Sequence, residues 1–228
     1  MKILGIDEVG RGAVIGPLVI CGLVVDEKKQ NELKKIGVKD SKELTPKKRG
    51  ELIEKIENIA EHTIVLRIPA CNIDDSRKNG TNLNQLEAIK MAEIINISNA
   101  DIAIVDAPSH NSNKFRDFLY SKLENKNIKL VCENYADKNY PVVSAASIVA
   151  KVDRDKKIEE LKKEFNYDFG VGYSHDVKTI AFLEKMAKEN NGKMPRHVRT
   201  TWDTVVQITK KYRQRNVLGF LDRFVKKN

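Results

Sequence analysis

The segment GIDEVGRG, residues 5–12, decides the predicted fold, because a short apolar run ends there in two adjacent acids and a Gly-Arg-Gly turn. A second apolar run, LVICGLVV, follows from residue 18. A buried strand gains nothing from ending in Asp7 and Glu8 unless the two charges have a partner. We therefore predict a strand over residues 2–7, a turn, a second strand over residues 14–25, and a site at the end of the first strand.

Length and composition place the chain among soluble globular proteins with one large domain, or a main domain and a small appendage. It has 228 residues, of which 41% are hydrophobic and 32% charged. No apolar run is long enough to span a membrane, and the N-terminus reaches acids too early for a signal peptide. Cys21, Cys71 and Cys132 lack metal-ligand spacing,. We expect a monomeric cytoplasmic protein.

Positive charge is concentrated at the C-terminal end. Residues 193–228 contain ten Lys or Arg against two acids, so this segment carries eight of the nine net positive charges. A cationic segment attached to a nearly neutral body indicates a polyanionic partner, most simply nucleic acid. The alternative is a solvated helical tail with no partner.

The hydrophobic pattern alternates strands with helices, which is typical of an α/β protein. Strands are predicted over residues 2–7, 14–25, 62–70, 101–108 and 128–134. Helices are predicted over residues 46–60, 84–98, 112–125, 142–165, 176–190, 200–213 and 215–226. Residues 26–44 and 135–141 are predicted to be loop-like. These assignments give an α/β body over residues 1–165 and a basic helical region over residues 166–228.

Several predicted strands end in, or just before, an acidic residue: Asp7 and Glu8, Asp106, and Asp137. If neighbouring strands run parallel, their carboxyl ends meet at one edge of the sheet. Carboxylates gathered there need a counter-charge, and an all-oxygen ligand set indicates Mg²⁺ or Mn²⁺ rather than zinc. Considered singly, Asp106 before Ala-Pro is also a turn former, and Asp137 in ADKN is also a capping or turn residue.

The Gly-Arg-Gly turn suits a ligand that carries phosphate. Gly10 and Gly12 let the backbone approach a ligand closely, and the planar guanidinium of Arg11 matches phosphate geometry. The stretch from Gly10 to Gly16 is similar to a dinucleotide-binding loop, but its last interval is one residue too long. Since β-branched residues and not a helix follow, dinucleotide binding is excluded.

Five segments in order resemble a type 2 ribonuclease H, ribonuclease HII, of the archaeal kind. They are GIDEVGRG, DSK at 40–42, IVDAP at 104–108, YPVVSAASIVAKVDRD at 140–155 and GVGYSHD at 170–176. The resemblance implies a ribonuclease H-like mixed α/β sheet flanked by helices, forming a catalytic domain over residues 1–165, with a small helical C-terminal domain. Val9, where the family more usually has alanine, is a small departure.

The resemblance implies an endoribonuclease that cuts the RNA strand of RNA–DNA hybrids and cuts on the 5′ side of ribonucleotides embedded in duplex DNA. Hydrolysis with two Mg²⁺ or Mn²⁺ ions would leave 5′-phosphate and 3′-hydroxyl ends. Two alternatives remain open: another two-metal nuclease of ribonuclease H-like fold, such as a junction resolvase, and a nucleic-acid-binding protein without catalysis. The first would cleave all-DNA duplexes. For the second, Asp7→Asn would leave every measurable property unchanged.

Site residues carried over by motif form two groups. The catalytic and metal-binding acids would be Asp7, Glu8, Asp106 and Asp137. The substrate-binding residues would be Gly10, Arg11 and Gly12, which read the ribose 2′-hydroxyl, Tyr173, which lies against the same ribonucleotide, and Lys42, near the scissile phosphate. The alternative for the tyrosine is that it only fills a loop against the core. Because the metals activate water, none of the four histidines is needed as a base.

The C-terminal end resembles a motif that binds sliding clamps, through Gln214, Val217, Phe220 and Leu221. Such motifs insert the apolar side of a short helical turn into a surface pocket. The usual aromatic pair is here Phe220 and Leu221. The alternative is an amphipathic terminal helix that packs on its own protein.

Overall fold

The computed structural model describes residues 1–38 and 44–213. Five predicted site residues lie outside these ranges: Lys42, Gln214, Val217, Phe220 and Leu221. The chain has two compact units, of which the first comprises Met1–Arg11, Leu18–Ile68 and Asn79–Lys156. The second comprises Gly12–Pro17, Pro69–Lys78 and the chain from Lys157 onward. The domain boundary near residue 165 stays a prediction.

The first unit is built on a mixed sheet of five strands in the order β3-β2-β1-β4-β5. The strands are β1 (Lys2–Val9), β2 (Leu18–Asp26), β3 (His62–Ile68), β4 (Ile102–Asp106) and β5 (Lys129–Glu133). β1, β4 and β5 are parallel to one another, whereas β2 pairs antiparallel with both β1 and β3. This topology confirms the predicted mixed sheet.

Helices flank the sheet within the first unit, and helices also occur in the second unit. They are α1 (Gln30–Lys35), α2 (Pro46–Ile59), α3 (Ala70–Lys78), α4 (Leu83–Ser98), α5 (Ser112–Ser121), α6 (Ala136–Asn139), α7 (Pro141–Phe165) and α8 (Val177–Glu189). Residues 203–213 are also helical. Thr45 caps α2 as predicted, since its hydroxyl accepts a hydrogen bond from the Lys48 backbone N–H at 3.3 Å,. No helix in the described ranges has the length and apolar character needed to cross a membrane.

Two glycines let helices pack closely on opposite faces of the sheet. A Cβ on Gly5 would lie 2.5 Å from the backbone carbonyl carbon of Val142 in α7, and one on Gly22 would lie 2.4 Å from Ile94 in α4. Gly22 pairs across the strands with Ile6 rather than with Gly5. Because side chains alternate along a strand, α7 and α4 contact different faces.

Each unit has its own hydrophobic core. In the first unit, the core combines Val143 and Ile148 of α7 with Leu33 of α1 and with Leu52 and Ile56 of α2. In the second unit, the core includes Val14, Ile15, Leu161, Phe169, Phe182 and Val198. The fully buried Arg199 guanidinium donates to the Gly16 carbonyl at 3.2 and 3.3 Å. This bond joins distant parts of the chain within the second unit.

The structure differs from the predicted elements at four places. β2 begins at Leu18 and not at residue 14, because Ala13 and Ile15 instead form isolated bridges with Tyr173 and Val198 in the second unit. The segments predicted as loops contain α1 and α6. Helix α3 was not predicted, and its buried Asp74 accepts hydrogen bonds from residues 200 and 201. Its burial depends on contacts far away in sequence.

Candidate active site

Three acids meet at the carboxyl ends of the parallel strands, as the sequence predicts. Asp7 lies in β1, Asp106 is the last residue of β4, and Asp137 lies in α6, which begins three residues after the end of β5. One carboxylate oxygen from each lies within 4.8 Å of those of the other two. The Ala136 backbone N–H donates to Asp106 Oδ1 at 3.1 Å. The start of α6 is thus joined to the end of β4, and three ligands are presented together.

Helix α7 orients the Asp7 carboxylate. The buried Ser147 side chain hydrogen bonds to it, and the Lys151 ammonium donates in turn to Ser147 Oγ at 3.1 Å. The Glu8 backbone N–H donates to Asp7 Oδ1 at 2.7 Å. Ser147 is not among the residues predicted from the sequence, although a hydroxyl inside the apolar run VVSAASIVA is a visible signal.

The Asp7 carboxyl group is buried close to two other acids. Burial, and then the charge of Asp106, raise the pKa of Asp7 to about 7, while the Ser147 hydrogen bond acts in the opposite direction. A divalent cation among the three acids would offset this repulsion and favour the ionised carboxylates. The oxygen-only ligands match the preference of Mg²⁺ and Mn²⁺.

Glu8 is not a member of the three-acid group, although it lies within electrostatic range. Burial raises the pKa of Glu8 well above its ordinary value, and the charges of Glu87, Asp7 and Asp106 add to the shift, while Arg11 lowers it. Its Oε2 atom is buried and has no hydrogen-bond partner among the described residues. Adjacent strand residues face opposite sides of a sheet, so Glu8 approaches Glu87 of α4 whereas Asp7 contacts α7.

The Gly-Arg-Gly turn begins in the first unit, where α4 holds its arginine. Gly10 has a φ of 90°, in the left-handed region that favours glycine,. Arg11 Nε donates to both carboxylate oxygens of Glu87 at 3.1 Å, and Nη2 donates to Asn84 Oδ1. Glu87 is not among the residues predicted from the sequence. Its signal is an acid within the apolar stripe of a helix, four residues before Met91.

The second unit contains two further predicted substrate-binding residues, Gly12 and Tyr173. Ala13, which follows Gly12, pairs with Tyr173 in an antiparallel bridge. The Val14 backbone N–H donates to the carbonyl of residue 172 at 2.8 Å. The Tyr173 ring stacks on His175 with a centroid separation of 5.5 Å. The structure therefore brings the end of the glycine turn and the tyrosine together, although 160 residues separate them in the sequence.

A mixed sheet whose parallel strands end in a compact group of carboxylates is typical of metal-dependent nucleases with the ribonuclease H-like fold. Comparisons with known proteins identify the family. A family model described as ribonuclease HII matches residues 4–205. The ribonuclease HII of Pyrococcus furiosus is 44% identical over 229 residues, which cover 100% of both chains.

Two solved structures support the same family assignment. Ribonuclease H2 from Pyrococcus horikoshii OT3 superposes with a TM-score of 0.85 at 40% identity, covering 93% of this chain and 99% of that one. Ribonuclease HII of Archaeoglobus fulgidus, solved in a complex with PCNA, gives a TM-score of 0.80 at 38% identity, covering 89% of this chain and 96% of that one. The chain belongs to the ribonuclease HII family. It is a metal-binding endoribonuclease, a hydrolase that acts on RNA–DNA hybrids.

Proposed function

We propose that the chain cuts RNA–DNA hybrids, and also cuts on the 5′ side of single ribonucleotides in duplex DNA, with two Mg²⁺ or Mn²⁺ ions. The proposed ligands and catalytic groups are Asp7, Glu8, Asp106 and Asp137. The products are 5′-phosphate and 3′-hydroxyl ends. The observation that carries the proposal is the proximity of three carboxylates, whose oxygens lie within 4.8 Å of one another.

The residues present fit divalent ions. The acids are oxygen donors, and the raised pKa of Asp7 is the expected consequence of burying like charges together without a cation,. When bound, the ions supply an activated water and stabilise charge on the leaving oxygen. The protein's own contribution is orientation: Ser147 and Lys151 position Asp7, and the Ala136 backbone positions Asp106.

Selection of RNA over DNA requires a hydrogen bond that only the ribose 2′-hydroxyl completes. We assign this contact to the backbone of Gly10, Arg11 and Gly12. We assign Tyr173 to the face of the same ribonucleotide. The bridge between Ala13 and Tyr173 supports a shared role, because it ties the tyrosine loop to the end of the turn. Lys42 is proposed to contact the scissile phosphate, by family resemblance alone.

The decisive experiment incubates the protein with Mg²⁺, or with Mn²⁺, and a DNA duplex that contains one ribonucleotide, and maps the cut. We expect one cut on the 5′ side of the ribonucleotide. Asp106→Asn should abolish cleavage while binding of the hybrid persists. The matched control is Asp117→Asn, which changes an exposed acid on α5. Wild-type activity in Asp106→Asn would refute the assignment, and cleavage of an all-DNA duplex would favour a junction-resolving nuclease.

We also propose a sliding clamp as partner, bound through Gln214, Val217, Phe220 and Leu221. The support is the spacing of these residues and the PCNA complex formed by the Archaeoglobus fulgidus relative.

A further inference from the structure

Helix α4 contains a glutamate in a position where packing favours an apolar residue. Glu87 has no solvent exposure, and its neighbours on the buried side of the helix include Leu86, Met91 and Ile94. Burying a carboxylate is costly unless it is paired and hydrogen-bonded. The pairing is supplied by Arg11, whose Nε lies 3.1 Å from both Glu87 oxygens. Stability alone therefore does not explain a charge at this position.

The ion pair is unequal in its exposure. The Glu87 side chain is 0% exposed, whereas the Arg11 side chain is 39% exposed. The carboxylate therefore anchors the arginine from within the unit, and the cation is presented partly at the surface. An arginine held in this way loses less conformational entropy when it binds phosphate than a mobile surface arginine does.

A second contact from the same helix restricts the guanidinium further. Asn84 lies one turn before Glu87 and accepts a hydrogen bond from Arg11 Nη2. The first turn of α4 is itself rigid, because Asn82 and Gln85 form a reciprocal capping box with both bonds at 3.0 Å,. One edge of the guanidinium, defined by Nε and Nη2, is thus bound to a capped helix.

We propose that Glu87, together with Asn84, is a positioning residue for substrate binding, which orients Arg11 and thereby the start of the Gly-Arg-Gly turn against the nucleic acid. Glu87 acts through Arg11 and contacts neither metal nor substrate. This inference rests on the proposed function, in which the turn contacts the ribonucleotide.

A rival explanation is that Glu87 acts through its negative charge on Glu8, a proposed metal ligand. The two explanations make different predictions for Glu87→Asp, which keeps the charge but withdraws the carboxylate from Arg11 by one methylene. If Glu87 orients Arg11, both Glu87→Asp and Glu87→Gln weaken substrate binding. If the charge alone matters, Glu87→Asp behaves as wild type and Glu87→Gln shifts the Mg²⁺ titration.

The experiment measures kcat and KM on an RNA–DNA hybrid, the Mg²⁺ dependence of cleavage, and the affinity for the hybrid without metal. It uses Glu87→Gln, Glu87→Asp, Arg11→Gln and the double variant Arg11→Gln/Glu87→Gln. We expect KM to rise about tenfold in Glu87→Gln, the size of one hydrogen bond to a charged group, with kcat nearly unchanged. In the Arg11→Gln background, Glu87→Gln should add nothing further. The matched control is Glu93→Gln, an exposed glutamate on the same helix paired with Lys90.

Two results would overturn the inference while leaving the proposed function intact. One is a raised KM in Arg11→Gln with wild-type KM in both Glu87 variants. The other is an effect of Glu87→Gln that persists unchanged in the Arg11→Gln background. A wild-type KM in Arg11→Gln would instead refute the role of the turn, and the inference with it. Melting temperatures of all variants show whether any change in KM reflects loss of folding. In the double variant both charges are removed together, so no Glu87 carboxylate is left buried without its arginine.

Discussion

Asp7 shows how one residue can be unfavourable for stability and required by the site. Its carboxyl group is buried beside Asp106, and its pKa is raised to about 7. The folded protein therefore keeps a proton on Asp7 between about pH 4 and about pH 7 that the unfolded chain releases. As the pH rises through this window, the stability of the metal-free protein falls, and above it the ionised carboxylate is ready for a cation.

We therefore expect Mg²⁺ to raise the melting temperature more at about pH 8 than at about pH 5.5, because the cation binds the ionised carboxylates. Asp7→Asn should raise the melting temperature of the metal-free protein at about pH 8, by about 2–4 °C per kcal/mol of repulsion removed. It should also remove most of the stabilisation by Mg²⁺. Thermal unfolding with a chelator and with Mg²⁺ tests this, and equal stabilisation at both pH values would contradict it.

A substitution at Gly12 tests whether the substrate contacts the backbone at this position. A Cβ at this position would meet nothing within 4 Å, and the residue is not in the left-handed region. Gly12→Ala should therefore change stability by less than about 0.5 kcal/mol. If the backbone here contacts the ribonucleotide, cleavage of the hybrid should nevertheless fall about tenfold or more. Wild-type cleavage by Gly12→Ala would show that this backbone does not contact the substrate.

At the scale of elements, β1 and α7 together determine the position of the Asp7 carboxylate. β1 contains Asp7, and α7 contains the Ser147 hydroxyl bonded to it. The two elements approach closely because Gly5 has no side chain at the point where the backbone of Val142 crosses it. Packing between these elements is thus directly coupled to the geometry of the site.

Gly5→Ala should destabilise the protein by about 1–3 kcal/mol, the usual cost of overpacking. The new Cβ would lie 2.5–2.7 Å from backbone atoms of Val142 and Val143, so α7 must shift. Activity should fall as well, because the shift displaces Ser147 from Asp7. Denaturant unfolding and cleavage assays measure both effects.

The matched control for Gly5→Ala is Gly50→Ala. Gly50 lies in α2, and a Cβ there would meet nothing within 4 Å. This substitution should stabilise the protein by about 0.5–1 kcal/mol through helix propensity, with activity unchanged. If Gly5→Ala were as stable as Gly50→Ala, the close packing of α7 on β1 would not be a constraint.

At the scale of the whole molecule, the topology gathers acids that are distant in sequence. Asp7 and Asp137 are 130 residues apart, and they meet because β1, β4 and β5 are parallel neighbours in the sheet. Asp106 joins them because it ends β4, the strand between β1 and β5. Parallel strands have their carboxyl ends at one edge, so strand order, rather than any local motif, assembles the group.

The C-terminal residues 214–228 are proposed to bind a partner of the whole molecule, the sliding clamp. Deletion of residues 214–228 should abolish binding to a sliding clamp. Isothermal titration calorimetry measures the affinity of each protein for the clamp. The control is Phe220→Ala with Leu221→Ala in the full chain, which removes the apolar anchors but keeps the basic residues. Unchanged clamp affinity in both proteins would contradict the proposed partner.

The local pattern of the sequence was sufficient to predict the class of fold, most strands and helices, and three acids at strand ends. These features depend on short-range periodicity and capping, as at Thr45, and on motifs such as GIDEVGRG. The ordered motifs also carried the resemblance to the family that the comparisons then identified.

Other features arose from contacts between distant segments, which no local pattern encodes. The bridge of Ala13 to Tyr173 shortened a predicted strand, and Asp74 became buried through bonds to residues 200 and 201. Glu87 is an acid within the apolar stripe of its helix, but its pairing with Arg11 is visible only in the folded chain. The physical reason is that burial and pairing of a charge depend on three-dimensional neighbours, whereas propensity and periodicity are properties of the neighbours along the chain.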